Sequence, residues 1–206
     1  MNTIKKKLLL AAIGLMLGFA GSSHASVIPA INSWQSSSGY FGGNWTIGFQ
    51  FSASQNLNVT ALGTYDVNGL TAPTTVSLWN DTGTLLASAV VPVGGNVIGD
   101  FIYTNLSNTV SLTAGQLYRM GVGVSQANWL YQVNGINTSS DISYLQGAWS
   151  NGQDTFVTSL NGASNRYVSA NFLSTNANVV PEPASLALLG MGLVGLAVAG
   201  RRKLVK

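Results

Sequence analysis

The sequence predicts an all-β fold, an antiparallel β-sandwich or jelly roll, flanked by an N-terminal signal peptide and a single C-terminal transmembrane helix. Three observations carry this. Apolar side chains alternate with small or polar ones at period two in run after run between residues 45 and 173. Turn-forming Gly, Asn, Asp and Pro separate these runs every eight to twelve residues. No stretch of ten or more residues between the two ends shows helical periodicity, so short strands around one core are the expected solution.

Residues 1–25 are read as a secretory signal peptide. Lys5, Lys6 and Lys7 precede an apolar run over residues 8–20, too short to cross a bilayer comfortably. Ser23-His24-Ala25 then places small residues at the −3 and −1 positions, so cleavage falls between Ala25 and Ser26. The sandwich domain is expected over residues 26–173. Residues 45–51 alternate strictly, with Trp45, Ile47, Phe49 and Phe51 on one face, which predicts a half-buried strand. Residues 57–61 continue the pattern, with a bulge expected beside Gly63. Residues 75–79 and 84–91 flank Asn80-Asp81-Thr82-Gly83 as a hairpin. Further strands are expected at 99–103, 109–112 and 117–125. In the last of these Tyr118, Met120, Val122 and Val124 share one face. A closing strand at 166–173 turns Val168, Ala170 and Phe172 inward. Residues 174–180 read as a spacer.

The last segment, residues 181–206, opens with Pro181, Glu182 and Pro183. The prolines mark the edge of a helix they cannot enter. Residues 184–200 contain a single polar side chain, Ser185. As a helix they span about 25 Å, within the range of membrane-crossing segments. Arg201, Arg202 and Lys203 follow at once and stay on the cytoplasmic side, leaving the body across the membrane.

The formal charge of +3 belongs to these two ends. Between residues 26 and 180 the ionisable side chains are Asp66, Asp81, Asp100, Asp141, Asp154, Arg119 and Arg166, which is five acids against two bases. No basic patch exists there, so nucleic acid is not an expected partner. The body also lacks His, Cys, Lys and Glu. A Ser-His-Asp triad, a zinc site and a Schiff base cannot be assembled from what remains. No catalytic residue, metal or cofactor is therefore expected, and the protein is read as non-enzymatic. Two aspartates at about 5–10 Å would make a glycoside hydrolase, but Asp66 and Asp81 sit in turns and Asp141 and Asp154 in polar loops. Asp66 with Asn68, or Asn151 with Asp154, has oxygen ligands for calcium but not the spacing of a known loop.

The stretch richest in binding chemistry is 126–154. Trp129, Tyr131, Tyr144 and Trp149 accompany Gln126, Asn128, Gln132, Asn134, Asn137, Gln146 and Asn151. Aromatic faces beside amides suit neutral polysaccharide, so the four rings are the candidate glycan contacts. The same rings also suit the core of a sandwich.

Two resemblances add to this. Val180-Pro181-Glu182-Pro183, a short apolar segment and a terminal Arg cluster resemble the PEP-CTERM sorting signal of Gram-negative bacteria. That resemblance implies an exosortase as processing partner and a host that makes extracellular polysaccharide. Signal peptidase and the inner membrane are the other expected partners. In the body, Val59-Thr60-Ala61-Leu62-Gly63-Thr64-Tyr65, Val76-Ser77-Leu78-Trp79 and Gly83-Thr84-Leu85-Leu86-Ala87-Ser88-Ala89 resemble a secreted β-sandwich module catalogued as a domain of unknown function. The likeness runs over about residues 45–125, implies the fold and brings no activity. The resulting expectation is an exported protein, transiently anchored and then released to the cell surface or matrix. Its role is structural or adhesive, near exopolysaccharide and biofilm material. A carbohydrate-binding module and an Asp-based hydrolase are the alternatives.

Overall fold

In the computed structural model the alternating run around Phe49 becomes the strand against which its sheet is assembled. The structure describes residues 26–37, 43–66, 70–124, 133–162 and 166–177. All of them belong to one unit, Ser26–Asn178, and the two chain ends form a separate one. The expected signal peptide and membrane helix fall outside the described residues. Among the described residues no helix is long and apolar enough to cross a membrane.

In chain order the strands are β1 (Ile28–Pro29), β2 (Ile31–Ser33), β3 (Ser36–Ser37), β4 (Trp45–Ala53), β5 (Leu57–Tyr65), β6 (Thr74–Asn80), β7 (Leu85–Val91) and β8 (Asn96–Ile98). They continue with β9 (Phe101–Leu112), β10 (Leu117–Val124), β11 (Val133–Asn134), β12 (Asn137–Thr138), β13 (Ile142–Asn151), β14 (Ser159–Leu160) and β15 (Ala170–Asn176). One sheet has the order β1-β15-β5-β9-β8 and the other β14-β13-β4-β10-β6-β7. The short pairs β11-β3 and β12-β2 lie apart from both. Every pairing is antiparallel. The fold is an all-β sandwich.

The core follows from the alternation. Ile47, Phe49 and Phe51 of β4, Tyr118, Met120 and Val122 of β10, and Val76 and Leu78 of β6 are all buried. They meet Leu57, Val59, Leu62 and Phe172 of the other sheet in one cluster. Phe51 and Phe172 touch across the interface, with centroids 5.3 Å apart. Each such side chain withdrawn from water contributes about 1.5–3 kcal/mol. Val168, Ala170 and Phe172 are inward, as their spacing predicts.

Several boundaries differ from those expected. The separate strands at 99–103 and 109–112 are one strand, β9, whose register against β5 slips between Val59 and Ala61. Across that slip residues 106–109 of β9 oppose Thr60 alone, and against β15 Thr60 is itself the extra residue, so the bulge of β5 sits at Thr60 rather than beside Gly63. The closing strand runs on to Asn176, because Ser174 is buried and Asn176 still pairs with Leu57. Residues 174–176 are therefore strand and not spacer. The hairpin at 80–83 forms as expected. Gly83 adopts φ 95°, and the Asn80 carboxamide oxygen accepts from Thr82 N at 3.1 Å and Thr84 N at 2.8 Å.

β4 is not half-buried. Thr46, at 0 % exposure, and Gln50, at 5 %, face away from the core and are nonetheless covered. Residues 152–158 lie over Thr46, while Gln50 bonds to Asp81 and Gln146. Thr155 N donates to Thr46 Oγ1 at 3.0 Å, and a Cβ at Gly121 would meet Val157 Cγ1 at 3.1 Å. Glycines in β10 thus let a loop lie on the sheet, where a larger side chain would lift it away.

Candidate functional site

Of the aromatic stretch singled out by sequence, residues 142–151 form strand β13. It escaped a strand assignment because its alternation is broken. Tyr144 and Trp149 are five positions apart, which in a regular strand sends them to opposite faces. A bulge at Leu145 inserts one residue, since Tyr144 pairs with Phe51 and Gln146 with Gln50. Trp149 then pairs with Ile47, and both rings face the core.

Tyr144 is half-buried and stacks on Phe49 at 5.0 Å. Its hydroxyl donates to Tyr167 O at 3.1 Å and accepts from Tyr167 N at 2.9 Å. Burial pushes the phenol well above the usual tyrosine range, against the opposing pull of the Tyr167 bond and the Arg166 charge. Arg166 lies 6.0 Å from the ring centroid. Trp149 meets Trp45 edge-on at 5.2 Å, and its Nε1 donates to Asn161 Oδ1 at 2.9 Å. Trp129 and Tyr131, the other two candidate glycan contacts, lie outside the described residues.

On the opposite face of the same sheet the structure assembles a polar chain drawn from several separate elements. Gly162 N donates to Gln146 Oε1 at 3.0 Å, and Gln146 Nε2 donates to Gln50 Oε1 at 2.8 Å. Gln50 Nε2 donates to Asp81 Oδ1 at 2.6 Å, and Arg119 Nε reaches the same oxygen at 2.7 Å. Arg119 Nη1 donates to Val157 O at 2.9 Å, with the guanidinium 5.0 Å from the Phe156 ring centroid. Burial alone would raise the Asp81 carboxyl. The bonds from Arg119 and Gln50 and the Arg119 charge outweigh it, and Asp81 titrates below the ordinary aspartate value. Sequence reasoning missed this group because its members are far apart along the chain. The one available signal was that Gln50 and Arg119 interrupt otherwise apolar or small-residue strands.

The remaining aspartates are dispersed. Asp66 N donates to Asp100 O at 2.9 Å where β5 ends and β9 begins. Asp141, 2 % exposed, takes a bond from Gln55 Nε2 on Oδ1, while Oδ2 is buried without a partner among the described residues. Asp154 has φ 57° and sets its carboxylate over Gly123. Of the candidate calcium ligands, Asn68 lies outside the described residues, and Asn151 uses its carbonyl to accept from Thr155 Oγ1. Among the described residues no three His, Cys, Asp or Glu gather as a metal site.

Ser26, after the expected cleavage point, is exposed. Ala25, Pro181, Glu182, Pro183, Arg201, Arg202 and Lys203 lie outside the described residues. The PEP-CTERM protein-sorting motif matches residues 179–203. The protein is thus exported, processed by an exosortase and directed to a membrane-associated place at the cell surface. No curated protein matches the chain. The domain of unknown function DUF4082 matches residues 33–174, most of the chain and nearly all of the sandwich. The chain therefore belongs to the DUF4082 family, its sandwich joined to a PEP-CTERM sorting signal.

Proposed function

We propose that this protein is a non-enzymatic structural or adhesive component of the cell surface or extracellular matrix. It is anchored only until its tail is removed, and it works beside exopolysaccharide. The observation that carries the reading is the sorting motif joined to a body without His, Cys, Lys or Glu. In that body Asp81 is engaged by Arg119, and the rings of Tyr144 and Trp149 support the core. A sandwich with a surface of neutral polar groups remains hydrated in a polysaccharide gel without attracting ionic partners.

The test uses protein recovered from the native host. Mass spectrometry should find a chain that begins at Ser26 and lacks residues 201–206. With Pro181, Glu182 and Pro183 all changed to Ala, the longer precursor should accumulate in the inner membrane. Recovery of wild-type surface protein that still carries Arg201 would refute transient anchoring. On a glycan array the structural reading expects weak, broad retention by the host's own polysaccharide. Saturable binding of one oligosaccharide would favour a carbohydrate-binding module, and turnover abolished by a single Asp→Asn change would favour a hydrolase.

A further inference from the structure

The end of β15 is fastened to the body just short of the processing motif. Asn176 Nδ2 donates to Gln55 Oε1 at 2.9 Å, and Gln55 Nε2 donates to the buried Asp141 carboxylate. Ser54 N donates to Asp141 O at 2.7 Å, so the turn after β4 and the turn before β13 are joined at this point. Ala177 N closes on Asn56 O at 3.1 Å. Only Asn178, Val179 and Val180 then separate Ala177 from Pro181. At about 3.3–3.6 Å per residue, Pro181 is at most about 14 Å along the chain from that last bond.

A membrane enzyme built of several spanning helices, each about 10 Å across, is wider than this. It cannot grip Pro181-Glu182-Pro183 without meeting the end of the sandwich from which β15 leaves. The turns around that exit are held together. Gly115 N donates to Ala53 O at 2.8 Å, and Ala114 N donates to Asn56 Oδ1 at 2.9 Å. Ser54, Asn56, Ala114, Gln116 and Ser140 are exposed there, and all are small or neutral. The one ionisable side chain of these turns, Asp141, is buried.

We propose that this neutral rim, formed by residues 54–56, 113–116 and 140, is the face that the exosortase docks against. The inference rests on exosortase processing of the tail and adds a surface of the folded body to it. The experiment follows conversion of full-length precursor to mature protein in the native host by pulse labelling. Ala114→Trp and Ser140→Trp add bulk at exposed rim positions, and Ile98→Trp adds it at the opposite end of the sheet. Each is compared with and without a twelve-residue Gly-Ser insertion after Ala177, and a thermal melt of each confirms the fold. The two rim variants should be processed several-fold more slowly than wild type, and the insertion should restore their rate. Ile98→Trp should be processed normally. Wild-type rates for both rim variants would overturn the docking face, as would slowing that the insertion does not relieve or equal slowing by Ile98→Trp. If wild-type precursor is never converted, exosortase processing itself fails and the docking face falls with it.

Discussion

Asp81 shows how one residue's neighbours set its chemistry. Its side chain is 33 % exposed, while that of Arg119 beside it is only 11 % exposed, so the pair is screened on one side alone. The folded carboxyl titrates below the 3.8 of the free group. Its contribution to stability is then complete above pH 3.8 and is lost as the pH falls through the depressed folded value. For a partly exposed pair that contribution is about 1 kcal/mol. Asp81→Asn should destabilise the protein by about that amount at neutral pH, and the urea midpoints of the two proteins should converge as the pH falls below 3.8. A constant difference across the range would show that the carboxylate charge is not what Arg119 holds.

At the scale of elements, glycine and bulges decide what each strand can carry. Gly48 of β4 faces Gly121 of β10. A Cβ at position 48 would overlap Met120 O, a main-chain atom that cannot move without parting the two strands. Gly48→Ala should therefore cost about 3 kcal/mol, lowering Tm by roughly 6–12 °C, as read by thermal unfolding. Period-two reading found β4, β6 and β10 because their alternation is unbroken, and the turn at Asn80–Gly83 gave β7 although that strand carries a bulge at Leu86. It did not find β13, because the bulge at Leu145 shifts the phase midway. It also left the face of the aromatic stretch open, since the inward turn of Tyr144 and Trp149 depends on that extra residue.

Across the whole molecule, the two faces of the sandwich are covered by different segments. The N-terminal segment lies on the five-stranded sheet, where Ile31 N donates to Asn171 Oδ1 at 3.0 Å and Asn171 Nδ2 donates to Ile31 O at 2.8 Å. Trp34 adds edge contacts to Tyr65 at 5.1 Å and Phe101 at 6.0 Å. Residues 152–158 cover the six-stranded sheet. With no cysteine in the chain, these contacts and the core carry the stability. Residues 26–177 should melt cooperatively, at a temperature unaffected by dithiothreitol. Residues 26–173 should melt at a lower temperature, because they lose the buried Ser174 and the Asn176–Gln55 bond. Equal melting temperatures would place the edge of the body at Leu173.

Composition and order along the chain were enough to give the all-β class, the inward set of β4, β10 and β15, the hairpin at Asn80 and the sorting tail. Each of these depends on neighbours in sequence: alternation, turn residues, or a motif that is read in extended form. The polar chain from Gln146 to Arg119, the burial of Thr46 and Gln50, the direction of Tyr144 and Trp149, and the fastening of Asn176 were decided by the tertiary structure. They depend on pairs separated by about thirty to over a hundred residues, such as Gln50 with Gln146 and Gln55 with Asn176. Such pairs meet only after strand order and register are fixed, and a single bulge resets which face each side chain occupies.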